Sequence, residues 1–350
     1  MGIIDLKIGW LALAIVISLP FLIYVKYGNK LKIIKPFFLF LIIFTSVVLF
    51  NYGNNDIDPL IVSGHLSNIL VLFSLYILGS EIDYSSDFFI KSSVVCFFVA
   101  STIIIYNQNF IINYWDFVVV SLNYQGLAMC YFILSLSIFL VKNKIFKYCL
   151  YLICLICFSI IGARTELISI LFLILLFELF DRNRKYYILY MLSITTIFIF
   201  MLGITYFTSV FNFSQLSVIF NLEQDDSWKI RNEFLDRGLS IISENIFFGK
   251  YGSYKEGQYV HNILSAWVDL GLIPFLLLLF SLFKGFIFSI KNLFAEKSLN
   301  NILFMGISII ILVISVFSKQ YTYPIIGFYL GLCSNFMLKT KLIKKTIVFK

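Results

Sequence analysis

Apolar runs too long and too continuous for a soluble core recur from one end of the chain to the other. They restrict it to folds that have lipid as their solvent. FFLFLIIFTSVVLF at 37–50 and LISILFLILLFELF at 167–180 carry a single acid between them, Glu178. In hydrocarbon every backbone N–H and C=O must be paired inside the structure, which leaves helices and closed barrels. Barrel strands would alternate polar and apolar residues, and these runs do not. The chain is therefore expected to be an all-α integral membrane protein. Composition closes the other routes. Sixty per cent of residues are hydrophobic and 13% are charged, against about 25% charged in a soluble domain. Disorder, and a soluble enzyme with one membrane anchor, are both excluded. The start MGIIDLK has no basic cluster and no small-residue cleavage site after it, so no cleavable signal is expected.

Eleven apolar segments (range ten to twelve) are expected, near 8–25, 36–50, 60–79, 92–106, 118–141, 145–162, 166–180, 186–206, 261–290, 301–317 and 323–338. They read as one polytopic domain over 1–350, with 207–258 as its one large loop. Net charge is +8, but in a membrane protein the placement of basic residues outweighs their sum, and no nucleic-acid partner is expected. With the N-terminus outside, nineteen of the 27 Lys and Arg fall inside and eight outside. That asymmetry predicts a cytoplasmic C-terminus and an extracytoplasmic 207–258 loop. Cys154 and Cys157 form a CxxC inside an apolar run, where packing is a simpler role than metal or disulfide.

This topology gathers the rare polar groups on one face, the pattern of a site. Arg164 and Glu166 lie in the tight turn IGARTEL. His261 opens the ninth segment, and His65 lies about a turn into the third; they are the only two histidines. Within the loop, DSWKIRNEFLDRGLSIISEN at 226–245 reads as an amphipathic helix started by Asp225, Asp226 and Ser227. Trp228, Ile230, Phe234, Leu235, Leu239, Ile241 and Ile242 fall on its apolar half. Arg237 lies at the border, and Arg231 lies near the centre of that half. There Arg231 either snorkels, pairs with a carboxylate such as Glu166, or meets an anionic ligand. His261 is either an interfacial cap or a reactive group. Asp269, eight residues on, shares its helical face about 12 Å deeper, where it can tune the helix but not touch the ring. Gly271 permits close packing and Pro274 a bend. His65, in SGHLSN, reads as a packing residue.

Four segments resemble the O-antigen polymerase and O-antigen ligase family. They are NYQGLAMCYFILSLSIFL from Asn123, GARTELISILFLILLF from Gly162, RNEFLDRGLSIISENIFFGKYGSY from Arg231 and HNILSAWVDLGLIPFLLL from His261. Arg231, Leu239, Asn245 and Gly249 match the family's loop helix. Tyr251 stands where a second glycine is usual, and Asp269 replaces the more frequent glutamate. The resemblance spans 118–290; the first hundred residues are similar only in being transmembrane. It implies a GT-C-like glycosyltransferase at the periplasmic face of the bacterial inner membrane, acting on undecaprenyl-diphosphate-linked oligosaccharides without metal or other cofactor. A chain-length regulator and a flippase are the partners it implies. On this reading Arg231 and Arg164 bind the diphosphate through guanidinium forks. His261 takes the proton of the acceptor hydroxyl, and Glu166, Arg237, Asp269 and His65 support them. The short length, the Phe/Ile/Asn bias and the modest loop favour a polymerase over a ligase that transfers to lipid A core. A non-enzymatic flippase would show charges deep in several spans and a repeat, and neither is visible.

Overall fold

The computed structural model describes residues 34–54, 56–82, 84, 86–106, 124–180, 226–255 and 258–348, without the side chains of 124, 226–228 and 339–348. The expected spans 8–25 and 186–206 lie outside the described residues. So do the loop stretch 207–225, Asn123, and Lys7, Lys26, Lys30, Lys32, Arg182, Arg184 and Lys185.

Among the described residues the chain is helical, with no strand. The helices are α1 (Lys35–Phe50), α2 (Pro59–Glu81), α3 (Asp87–Tyr106), α4 (Tyr124–Ser135, continued by a 3-10 turn Leu136–Leu140), α5 (Lys144–Ile161) and α6 (Arg164–Phe180). They continue with α7 (Asp226–Glu244), α8 (Ser265–Leu270), α9 (Leu272–Ala295), α10 (Leu299–Phe317) and α11 (Ile325–Val348). Five of them, α2, α3, α5, α9 and α10, are long and apolar enough to cross a membrane, and the protein is a multi-pass membrane protein of all-α class. Local chemistry sets the borders. Asp58 accepts from Leu60 N (2.9 Å) with Pro59 at the first helical position of α2, where its missing N–H costs nothing. Asn143 caps α5 through Phe146 N at 3.1 Å, and left-handed Gly162 (φ 74°) ends it.

Two expected segments differ. The run 261–290 is not one helix. It is a bend at 261–264, the six-residue α8, a break at Gly271 (φ 87°, ψ −177°), and then α9. At the break Leu272 N turns to the Phe247 carbonyl (3.3 Å), so a loop outside the helix supplies the acceptor. Pro274 is not the bend; it sits in the first turn of α9, where proline is tolerated. The last segment, expected to stop near 338, runs to Val348. No Gly or Pro interrupts 339–348, and Lys and Leu there are good helix formers.

The chain divides into two compact units. The first comprises Met1–Ile82, Lys229–Ala295 and Ile307–Lys350. Its centre is the pair α2 and α11, brought together backbone to backbone. A Cβ on Gly79 would strike the Phe328 carbonyl, one on Gly327 the Leu72 carbonyl, and one on Gly331 the Tyr76 carbonyl. Gly327 and Gly331 form the small-xxx-small spacing that lets membrane helices approach. Phe37, Phe40, Phe44 and Val48 form the buried stripe of α1. Phe37 stacks on Tyr76 (5.5 Å), and Phe44 meets Tyr321 (5.1 Å). Gly331→Val is expected to cost about 3 kcal/mol, the upper end for overpacking, because backbone cannot yield as a side chain can. A thermal unfolding midpoint in detergent equal to that of the unaltered protein would contradict this close approach.

The second unit comprises Asp83–Trp228 and Glu296–Gly306. Phe139 packs between Tyr151 (5.0 Å) and Phe177 (4.9 Å), and Tyr131 O–H shares a hydrogen bond with Ser101 Oγ (2.8 Å). Buried Glu178 accepts from Tyr148 O–H (3.0 Å) and lies 4.0 Å from Lys147 Nζ. Cys154 and Cys157 are fully buried free thiols on α5.

Candidate active site

The first unit holds α7, and its inner stripe is Arg231, Phe234, Leu235, Gly238, Ile241, Ile242 and Asn245, of which Gly238, Ile241 and Ile242 are buried and the rest half-buried, the spacing of one helical face. Arg231 thus lies on the inner face, as its place in the periodicity implies. The stripe is narrower than the expected half-cylinder: Ile230 and Leu239 are 47% and 48% exposed. Ile241, Ile242, Tyr254, Val260 and Val268 form a small core with Phe234, Leu235, Leu264 and Trp267 against it. Gly238 is what lets α7 settle there, since a Cβ would come within 2.5 Å of Val260 Cγ2.

The Asn245-x-x-x-Gly249 segment closes this core by hydrogen bonds. Asn245 Nδ2 donates to the Ile241 carbonyl (3.2 Å), and Gly249 N to the Asn245 carbonyl (2.9 Å). Lys250 N then reaches the Val268 carbonyl (2.6 Å), and Trp267 Nε1 reaches that of Ile246 (2.8 Å). Left-handed Gly249 (φ 66°) faces Gly271 N, 2.7 Å from where its Cβ would stand. Arg237 is exposed. Its Nη2 donates to the Ser253 carbonyl (2.8 Å) and its guanidinium covers the Tyr254 ring (5.0 Å), so it pins the loop.

His261 precedes α8 rather than opening a long helix. Asn262 fixes that bend: its Oδ1 accepts from Leu264 N (2.9 Å), and its carbonyl accepts from Ser265 Oγ (2.7 Å). The bend is also tied to the end of α10 and the turn after it. Ile263 N donates to the Ser315 carbonyl (2.7 Å), and Tyr321 N to Ser265 Oγ (3.2 Å). The half-buried His261 ring lies 4.2 Å from that of Tyr259. Burial, then the charges of Arg231 and Lys319, push its imidazole down to about 4. At neutral pH it is an uncharged base in the field of two cations. The Nε of Arg231 is buried and has no hydrogen-bond acceptor among the described residues. A buried donor left in this state carries an unrecovered desolvation cost.

Asp269 does not sit beneath His261 on a shared helical face, because α8 begins only at Ser265. Its carboxylate accepts from Tyr321 O–H (3.2 Å), and burial raises it to about 7. His65 is more than a packing residue. Its Nδ1 is 2.9 Å from Tyr251 O–H, within a cage of Phe44 (5.5 Å), Tyr251 (5.4 Å) and Tyr321 (6.0 Å). Tyr251, whose phenol is raised by burial and by Asp269, belongs to the same group. The sequence does not single out Tyr251, Tyr259, Lys319 and Tyr321 as site residues. Only Tyr251 left a signal, as the departure from glycine.

Arg164 and Glu166 belong to the second unit, in the first turn of α6 just after Gly162. Among the described residues no group of three or more His, Cys, Asp or Glu side chains is disposed to hold a metal. No protein-family model matches the chain, and no curated protein matches it either.

Proposed function

We propose that this protein is a glycosyltransferase of eleven spans and GT-C-like architecture in a bacterial inner membrane, an O-antigen polymerase working at the periplasmic face. The observation that carries the reading is an uncharged His261 in the field of Arg231, a half-buried arginine whose buried Nε has no acceptor among the described residues. A transfer between lipid-linked glycans needs those two groups. The acceptor hydroxyl oxygen attacks the anomeric carbon of the donor sugar, and its proton passes to the imidazole. The bond from that carbon to the diphosphate oxygen breaks, and the leaving diphosphate carries its negative charge to the guanidinium. The resemblance also assigns Arg164 and Glu166 to this reaction, and their part rests on the resemblance alone.

The test is chain extension by the purified protein in vesicles supplied with lipid-linked repeat units. Ladders of longer glycan with release of undecaprenyl diphosphate are expected. Transfer only to added lipid A core would make the protein a ligase. Movement of lipid-linked units across the bilayer without any new glycosidic bond would make it a flippase.

A further inference from the structure

Lys319 fits poorly with the charge bias that orients the chain. On that topology it is a lysine in a short outer connection, where Lys and Arg are scarce. The structure gives it a place. It lies directly after α10, with its N–H on the Ile314 carbonyl (2.8 Å), in the turn stapled to the His261 bend through Ile263 with Ser315 and Ser265 with Tyr321. Its Nζ stands 4.8 Å over the ring of Tyr323. Such a contact positions an ammonium.

We infer that Lys319 is the second cation of the anion site and, with Arg231, receives a diphosphate beside His261. This rests on the reading of the protein as a transferase of lipid-diphosphate-linked glycans. The two residues come from separate segments, Arg231 from α7 within the long loop and Lys319 from the turn after α10. The divided supply explains why a single sequence motif does not contain the site. Lysine gives a point charge and arginine a planar fork, so the fork orients the diphosphate while the ammonium neutralises it. One consequence is specific to this placement. Both charged groups that act on His261 are cations, and its ring neighbour is Tyr259. An anion that neutralises them lifts the repulsion on an imidazolium, so the base becomes stronger when the donor is in place.

The test uses full-length protein in nanodiscs, with undecaprenyl diphosphate and inorganic diphosphate as separate probes. Imidazole NMR follows the two histidines, with His261 assigned by its alanine variant. Lys319→Ala is expected to bind undecaprenyl diphosphate about tenfold more weakly, and His261 should titrate at higher pH. Lys319→Arg should restore both and so separate charge from fold. In the unaltered protein, adding undecaprenyl diphosphate should itself move the His261 titration upward. Unchanged affinity in Lys319→Ala overturns the proposal, whether or not the titration moves. Loss of affinity for inorganic diphosphate alone also overturns it, since the site would then serve the free ion. If lipid diphosphate binding depends on Lys319 but the unaltered protein extends no glycan, the anion site stands and the polymerase reading fails.

Discussion

Alanine in place of His261 is expected to lower chain extension by about 10²–10⁴-fold, the range for loss of a general base, while lipid diphosphate still binds. The measurement is turnover on purified lipid-linked repeat units at matched protein amounts. Near-normal turnover would remove His261 as the base. The acidity of the site supplies a second signature. Because burial, Arg231 and Lys319 hold the imidazole down to about 4, it stays an acceptor through the neutral and mildly acidic range. Activity should fall only as pH drops through about 4 in the protein without donor. The stability sign follows from the same displacement. Unfolded, the imidazole takes a proton near its ordinary 6.5; folded, it resists until about 4. Its contribution is therefore complete above 6.5 and is lost as pH falls through that window. His261→Ala should abolish this component of acid sensitivity.

Arg231→Ala is expected to reduce turnover by about a hundredfold, the equivalent of about 3 kcal/mol for a charged hydrogen-bonding pair. Arg231→Lys should recover little, because it retains the charge and loses the fork. Stability should move differently. Removing a buried Nε that has no partner among the described residues removes a desolvation cost, so the melting midpoint should hold or rise. A structural arginine would behave in the opposite way, losing stability and activity together. Normal chain formation by Arg231→Ala at normal protein levels would end the diphosphate assignment.

Several parts of this arrangement are readable from residues alone. Continuous apolar runs dictate a helical membrane protein, and the 3.6-residue period places α7 at 226–244 with Arg231 inward. The break at Gly271 is not readable, because its cause is the Phe247 carbonyl, more than twenty residues away. A helical wheel over 261–290 places Asp269 under His261, but the bend at 261–264 keeps α8 from beginning before Ser265. Periodicity describes one helix at a time. The hydrogen bonds from Tyr251 to His65 and from Tyr321 to Asp269 join residues 186 and 52 positions apart, and no local pattern announces them. Lys319 carries no sequence signal, because a lone lysine near a helix end is ordinary; only the staples to the His261 bend give it meaning.

Gly249 and Gly271 face each other across bare backbone, each in the left-handed region and neither with room for a side chain. A seam of this kind contains nothing that can change rotamer or repack, so it behaves as a weld and not as a joint. Small rotations of α9 in the bilayer would pass through it, without slack, to the turn that ends α7 and to the bend that holds His261. For the transfer proposed here, whose substrates are themselves held in the bilayer, the reactive groups would then keep pace with the surface from which those substrates arrive.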